Sequence, residues 1–308
     1  MDSSPPIAPP SLPSHPFTVR FWGVRGSIPT PDRDYMEFGG NTACVEVRVG
    51  EHCLILDGGT GLRSLGQHLL QCPPLQAHVL FTHSHWDRIQ GFPFFEPAFV
   101  PGYCFHIYGS TAINGASIKH RLMNQMVRPN FPIPLLHMQA SLHFHDVAPG
   151  DCWVLPSETG QDPVTIETGS LNPNDRAMGY RITWGDRCLV YATDVDHHLP
   201  GLSTGDGNPA PAPLSPNPAL VYLARGADVL IYDAAQYQGI HSASGDDSTP
   251  WELGLAAASA AQVRQLVLFH HSPKDTDRHL TALEQHLQTL SPSTLCAKEG
   301  TWLPVGQP

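Results

Sequence analysis

The chain has 308 residues, a formal net charge of −11, and 17 Lys and Arg against 28 Asp and Glu. That balance argues against a strong non-specific grip on nucleic acid, which needs cations to displace the counterions of the phosphates. With 41% apolar and 15% charged residues, 27 Gly and 31 Pro, the composition suits a chain that buries a sizeable core under long loops and excludes a disordered one.

Residues 1–16, MDSSPPIAPPSLPSHP, lack a basic start and an apolar h-region and read as a disordered Pro/Ser-rich leader. A single domain is expected over residues 17–308, since layered folds often spend this length on one domain. Apolar runs predict strands at FTVRFWG (17–23), CVEVRVG (44–50) and CLILDGG (53–59), a helix over LRSLGQHLL (62–70), then a strand at HVLFTHSH (78–85). A helical stretch is expected from Ser110 to Val127. Strands resume at GYRITWG (179–185) and RCLVYATD (187–194), after which the Pro/Gly/Ser-rich segment Leu199–Pro218 reads as an exposed loop. PALVYLARGA (218–227) and the Ala-rich WELGLAAASAAQV (251–263) predict helices, separated by the strand DVLIYDA (228–234) and followed by the strand QLVLFHH (265–271). The alternation indicates a layered α/β fold. Seven dispersed cysteines without a CxxC pair point to a reducing, cytoplasmic setting. No run approaches the roughly 18–20 apolar residues of a membrane span, so no membrane partner is expected.

Chemistry concentrates where these strands stop. In FTHSHWDRIQG (81–91), His83 and His85 follow an apolar run at i, i+2 spacing, which turns both imidazoles to one side, and Asp87 adds an oxygen ligand two residues on. YATDVD presents Asp194 at a second strand end, and LVLFHHS presents His270 and His271 at a third. A single histidine at a strand end is more often a hydrogen-bonded surface residue. Three strand ends carrying ligand-type residues in this pattern instead indicate a metal site for zinc, iron or manganese at one sheet edge. Asp57 opens the turn DGGTG between a strand and a helix, a placement shared with phosphate-binding turns, but the Gly-Lys-Ser/Thr ending of a P-loop is missing.

Across nearly the whole ordered chain, RFWGVRGSIPTP, FGGNTACVEV, LILDGGTGLRSLG, FTHSHWDRIQG, MGYRI, YATDVD and LVLFHHSP resemble the metallo-β-lactamase superfamily, in particular its ribonuclease Z and phosphodiesterase-like branch. The resemblance implies an αββα four-layer sandwich with the site at one edge between two sheets. In active members it implies two ions, usually zinc, that activate a hydroxide for attack on phosphorus. It carries metal ligation onto His83, His85, Asp87, Asp194 and His270, and it implies that Asp57 stands behind these ligands and fixes their geometry. It also exposes three departures: Arg88 stands where the HxHxDH motif ends in histidine, Pro173 where a further histidine precedes the Gly-Tyr-Arg strand, and Asp247 where a His-Ser-Thr motif is expected.

Each departure has a physical meaning. Arginine stays protonated and offers only donors, so Arg88 cannot ligate a cation. Two unit charges about 4 Å apart interact by roughly 4 kcal/mol at an effective dielectric of about 20, which disfavours a second ion beside it. One divalent ion is therefore expected, zinc first and manganese or iron next, with the guanidinium pairing with Asp87 or Asp194. Asp87, Arg88 and Asp247 are the candidate catalytic groups. Asp247, ionised at neutral pH, could act as a base or pair with Arg88, but reads equally well as the N-terminal residue of a helix. His197, His198, His241 and His271 are left unassigned.

Three functional readings follow: a mononuclear metal-dependent phosphodiesterase or esterase, a weakly active or inactive relative that binds a small anionic ligand, and a scaffold that keeps only the fold. Transfer RNA is not expected as a partner, because the Leu199–Pro218 spacer contains no Lys or Arg. A small anionic substrate or ligand is. Oligomeric state is open, with a homodimer among the options.

Overall fold

The computed structural model describes residues 16–174, 176–196, 215–234 and 250–306. Most of the expected leader, most of the Leu199–Pro218 spacer, and Asp247 with His197, His198 and His241 lie outside them.

The chain opens with an antiparallel meander of β1 (Phe17–Gly23), β2 (Cys44–Val49) and β3 (His52–Leu56). Helix α1 (Gly61–Leu69) then crosses to β4 (Gln76–Leu80), which pairs parallel to β3. The short α2 (Trp86–Ile89) leads toward β5 (Cys104–Ser110), and α3 (Ile118–Gln125) toward β6 (Ser141–Val147), both strands continuing the sheet in parallel. A second sheet starts with antiparallel β7 (Cys152–Leu155), β8 (Val164–Asn172), β9 (Ala177–Trp184) and β10 (Arg187–Ala192). After α4 (Pro218–Leu223) it turns parallel through β11 (Val229–Asp233), then α5 (Pro250–Ala260), β12 (Gln265–Phe269), α6 (Asp277–Leu290) and β13 (Leu295–Cys296). Finally β14 (Trp302–Pro304) returns to pair with β1. Among the described residues this gives two seven-stranded sheets, in the orders β14-β1-β2-β3-β4-β5-β6 and β13-β12-β11-β10-β9-β8-β7.

Three separate apolar cores account for the layering. Between the sheets, Val19, Val45, Leu54 and Leu80 meet Ile166, Tyr180, Leu189 and Val267. Outside the first sheet, Leu62 and Leu65 of α1 and Leu122 of α3 cover Ile55, Val79 and Phe105. Outside the second, Leu220, Ala257 and Leu280 of the last three helices cover Leu230 and Leu268. Strands β3, β4, β11 and β12 are therefore buried on both faces, which is why they read as unbroken apolar runs. The result is the expected four-layer αββα sandwich. No described helix is long and apolar enough to cross a membrane.

The expected helix from Ser110 to Val127 is shorter than its pattern: Ser110 closes β5, and helix begins only at Ile118, where the Ser117 hydroxyl accepts from the His120 N–H and caps the first turn. Likewise PALVYLARGA is helical only to Leu223. Since β3 runs parallel to β4, and β10 to β11 and β12, the carboxyl ends of all five strands point to one edge. That edge holds the polar residues.

Candidate metal centre

Asp57 follows β3 in the left-handed region at φ +58° and is fully buried. Its Oδ1 accepts from the Thr82 backbone N–H at 2.8 Å and from the Thr82 hydroxyl at 3.0 Å, while Oδ2 accepts from the Tyr191 hydroxyl at 2.9 Å. Because the Thr82 hydroxyl spends its proton on Asp57, it can only accept from its other neighbour, Nδ1 of His83, at 3.0 Å. This fixes the His83 tautomer with its proton on Nδ1 and a lone pair on Nε2, the form a metal ligand needs. Burial, with the nearby positive charge of Arg88, pushes the His83 imidazole well below its ordinary pKa and keeps it neutral.

His85 stands at right angles to His83, ring centres 4.3 Å apart. Asp194, just beyond β10 at φ +53°, donates its backbone N–H to Oδ2 of Asp233 at 3.0 Å and accepts from the Asn172 amide at 3.2 Å. One ligand atom each from His83, His85 and Asp194 lies within 4.8 Å of the others. Two imidazoles and a carboxylate at that spacing are a suitable donor set for zinc, iron or manganese.

The other candidates form a different kind of assembly. Arg88, on α2, has no exposed surface. Its guanidinium donates to Asp233 Oδ2 at 2.9 Å and Asp57 Oδ2 at 3.2 Å, and its Nε stands 3.6 Å from Asp87 Oδ2. Burial alone would lower its pKa, but Tyr191 and the carboxylates of Asp57, Asp87 and Asp233 carry it above the ordinary arginine value. His270, beyond β12 at φ +61°, is held through both ring nitrogens, Nε2 to Asp87 Oδ2 at 2.7 Å and Nδ1 to Asp233 Oδ1 at 2.9 Å. Burial and Arg88 oppose its protonation, yet the two carboxylates raise its pKa to about 9. At neutral pH it is an imidazolium that donates twice. Burial likewise disfavours the Asp87 and Asp233 anions, but His270 and Arg88 hold both carboxyls below the usual carboxylate range.

Backbone contacts lock this assembly. The Gly58 N–H donates to the Arg88 carbonyl at 2.6 Å and the Gly91 N–H to the Gly58 carbonyl at 2.9 Å, so the DGG turn clamps the C-terminal end of α2. A Cβ on Gly91 would lie 1.8 Å from the Gly59 oxygen, and one on Gly26 would lie 2.8 Å from the His270 ring.

No protein-family model matches the sequence, and no curated protein matches it. Solved structures do resemble the fold. They include the metallo-β-lactamase fold protein YhfI from Bacillus subtilis, at 18% identity and TM-score 0.61 over 95% of this chain and 100% of that one. Human tRNase Z, short form, aligns at 19% identity and TM-score 0.57 over 94% and 100%. A diphosphatase from the PhnP family aligns at 15% identity and TM-score 0.60 over 93% and 96%. The chain has the metallo-β-lactamase fold.

On this metallo-β-lactamase fold, the sequence-derived site residues divide into two groups. His83, His85 and Asp194 converge with ligand atoms facing one another, whereas Asp87 and His270 are bonded to each other and to the Arg88 assembly. Pro173 lies in the turn between β8 and β9, where its neighbour Asn172, not Pro173 itself, reaches Asp194. His271 is buried and hydrogen-bonded at 2.9 Å to the Ala297 carbonyl, and burial pushes its pKa down to about 3.

Asp233 was not among the expected site residues, yet it binds Arg88, His270 and the Asp194 backbone. VLIYD ends in an aspartate as LILD and YATD do, and β11 lies between β10 and β12, so its tip must reach the same edge. Beside His85 a cleft of about 970 Å³ opens, lined among others by Asn114, His120, Arg121 and Asn124. Arg121 gives one guanidinium nitrogen to the Ser110 carbonyl, and its buried Nε has no hydrogen-bond partner.

Proposed function

We propose that the chain is a mononuclear metal-dependent hydrolase of small phosphodiesters or related anionic esters, with His83, His85 and Asp194 as the ligands. The observation that carries this reading is the double engagement of His270. With both nitrogens on carboxylates and Arg88 alongside, the place that a second divalent ion would take in this fold holds a guanidinium and an imidazolium, together two positive charges. The charge of Asp57, Asp87 and Asp233 is thus largely offset by the protein's own cations. The remaining donor set has a fixed His83 tautomer and an adjoining cleft.

The bound ion, zinc by preference and manganese or iron otherwise, supplies a Lewis acid centre with open coordination positions. The chain's own groups do the rest. Thr82 and Asp57 orient His83, Asn172 and the Asp233 contact fix Asp194, and Arg121 adds positive charge to a cleft in an otherwise acidic protein. We assign no catalytic step to Asp247. Transfer RNA is not the proposed substrate, given the net charge of −11 and the spacer without Lys or Arg. Seven free cysteines accord with the reducing cytoplasm as the location.

Turnover of bis(p-nitrophenyl) phosphate by the full chain, supplied separately with zinc, manganese and iron, tests the reading. Activity that falls at least 100-fold in both Asp194→Ala and His83→Gln supports it. Activity untouched by Asp194→Ala, or none with any of the metals, overturns it, and in the second case metal-dependent binding of phosphate would favour the anion-binding alternative.

A further inference from the structure

The first sheet carries a second group of metal-ligating side chains far from the strand tips. In the parallel register of β4, β5 and β6, His78 pairs with His106 and His106 with His143, while Cys104 precedes His106 by two residues and so shares its face. Tyr108, two residues further on, stacks on Trp153 of β7 at 4.9 Å, so this face looks toward the second sheet, at the edge where β6 ends the first. Cys104 pairs with Gln76 and Tyr108 with Leu80, so the thiol sits about 13 Å back along the strands from the tip that leads to His83.

The side chains have the chemistry of a binding site. Single donor atoms of Cys104, His106 and His143 lie within 4.8 Å of one another, and Cys104 Sγ is 3.9 Å from His106 Nε2. Around a tetrahedral zinc, with its bond lengths near 2.3 Å to sulfur and 2.0–2.1 Å to nitrogen, that separation would be roughly 3.6 Å, so small side-chain rotations suffice. His106 Nδ1 is 3.1 Å from His145 Nε2. With the proton on Nδ1 donated to His145, the His106 lone pair sits on Nε2, facing the thiol. That is the outer hydrogen bond that metal-bound histidines commonly make. Ordinary cross-strand packing explains a stacked row of rings. It does not explain a thiol facing a ring nitrogen beside an exposed histidine.

We propose that Cys104, His106 and His143 form a second metal site that takes a zinc-like ion. One thiolate and two imidazoles select zinc or copper over magnesium, calcium or manganese. The exposed His143 leaves the ion an entry path, and three protein donors leave a fourth position open to solvent. The ion would staple β5 to the edge strand β6, a strand half-exposed along its length.

Cobalt titration of the full reduced chain separates this site from the one at the strand tips, because His83, His85 and Asp194 include no thiol. A thiolate-to-cobalt charge-transfer band in the near ultraviolet is expected, saturating at one ion per chain. It should vanish in Cys104→Ser, require at least ten times more cobalt in His143→Ala, and persist in Asp194→Ala. A band that survives Cys104→Ser, or none at saturating cobalt, overturns the proposal. Zinc should also slow alkylation of Cys104 in the unaltered chain, read by peptide mass spectrometry, and an unchanged rate counts against the site without relying on any variant.

Discussion

His270 donates through Nε2 to Oδ2 of Asp87 at 2.7 Å, joining the end of β12 to α2 across most of the sequence. Its pKa, raised to about 9 in the folded chain against an ordinary value of 6.5, ties stability to pH. The contribution is fully present below the unfolded value of about 6.5 and is lost as pH rises through about 9; the shift corresponds to about 3 kcal/mol. Urea midpoints of the unaltered chain should fall between pH 6 and pH 10 by more than those of His270→Gln. Equal slopes for the two proteins would contradict the assignment of His270 as an imidazolium.

Arg88 pairs with Asp57, Asp87 and Asp233 in a place without exposed surface. Removing one partner of a buried ion cluster leaves uncompensated charge, at a cost of about 3–5 kcal/mol. Arg88→Met should lower stability by that amount in urea titration. Arg88→Lys should recover only part, since an ammonium cannot spread its donors over three carboxylates. A fully stable Arg88→Met chain would mean that the carboxylates are protonated or solvated.

Thr82 passes a hydrogen bond between Asp57 and His83 without touching the cleft itself. Replacing its hydroxyl by a methyl in Thr82→Val frees the His83 tautomer and removes one bond from buried Asp57. Loss of such an outer partner typically costs 10–100-fold in metal affinity. We expect zinc affinity at the His83 site to drop within that range by competition with a chelating dye, with the cobalt–thiolate band at Cys104 unchanged.

Gly26 faces the ring of His270, and an added Cβ would meet it at 2.8 Å. The ring cannot swing aside without breaking its bonds to Asp87 and Asp233. Gly26→Ala should therefore destabilise the chain by about 1–3 kcal/mol, the range for an overpacked core. It should also remove the steep pH dependence expected of His270. A stable variant with unaltered pH dependence would show that the ring has room to move.

Much of this is legible in the sequence, for a physical reason. Strands buried on both faces, such as VLIYD and QLVLF, announce themselves as unbroken apolar runs, and site residues stand where those runs stop. Strands at the open side do not. β6, SLHFHDV, and β7, CWVL, are half-exposed and read as loop, while VTIETGSLN of β8 mixes polar residues with a glycine. Helix α6 was missed although Thr276 caps it, because DRHLTALEQHLQTL buries only a narrow leucine stripe. At the site, spacing pointed to His83, His85, Asp87, Asp194 and His270, with Asp87 or Asp194 as the partner of Arg88, but not to the Asp57 and Asp233 carboxylates that Arg88 takes together with Asp87. That depends on β11 lying between β10 and β12, a fact of topology with no local signature.

Three of the strand tips, at Asp57, Asp194 and His270, hold a left-handed backbone twist that most residues other than glycine, asparagine and aspartate resist. Each is kept there by polar bonds rather than by apolar packing. Loosening those bonds therefore gives the main chain a reason to unwind, so a substitution meant to silence chemistry alone would also let the loop relax. Asparagine, at home in that twist, is the fairer replacement for either aspartate.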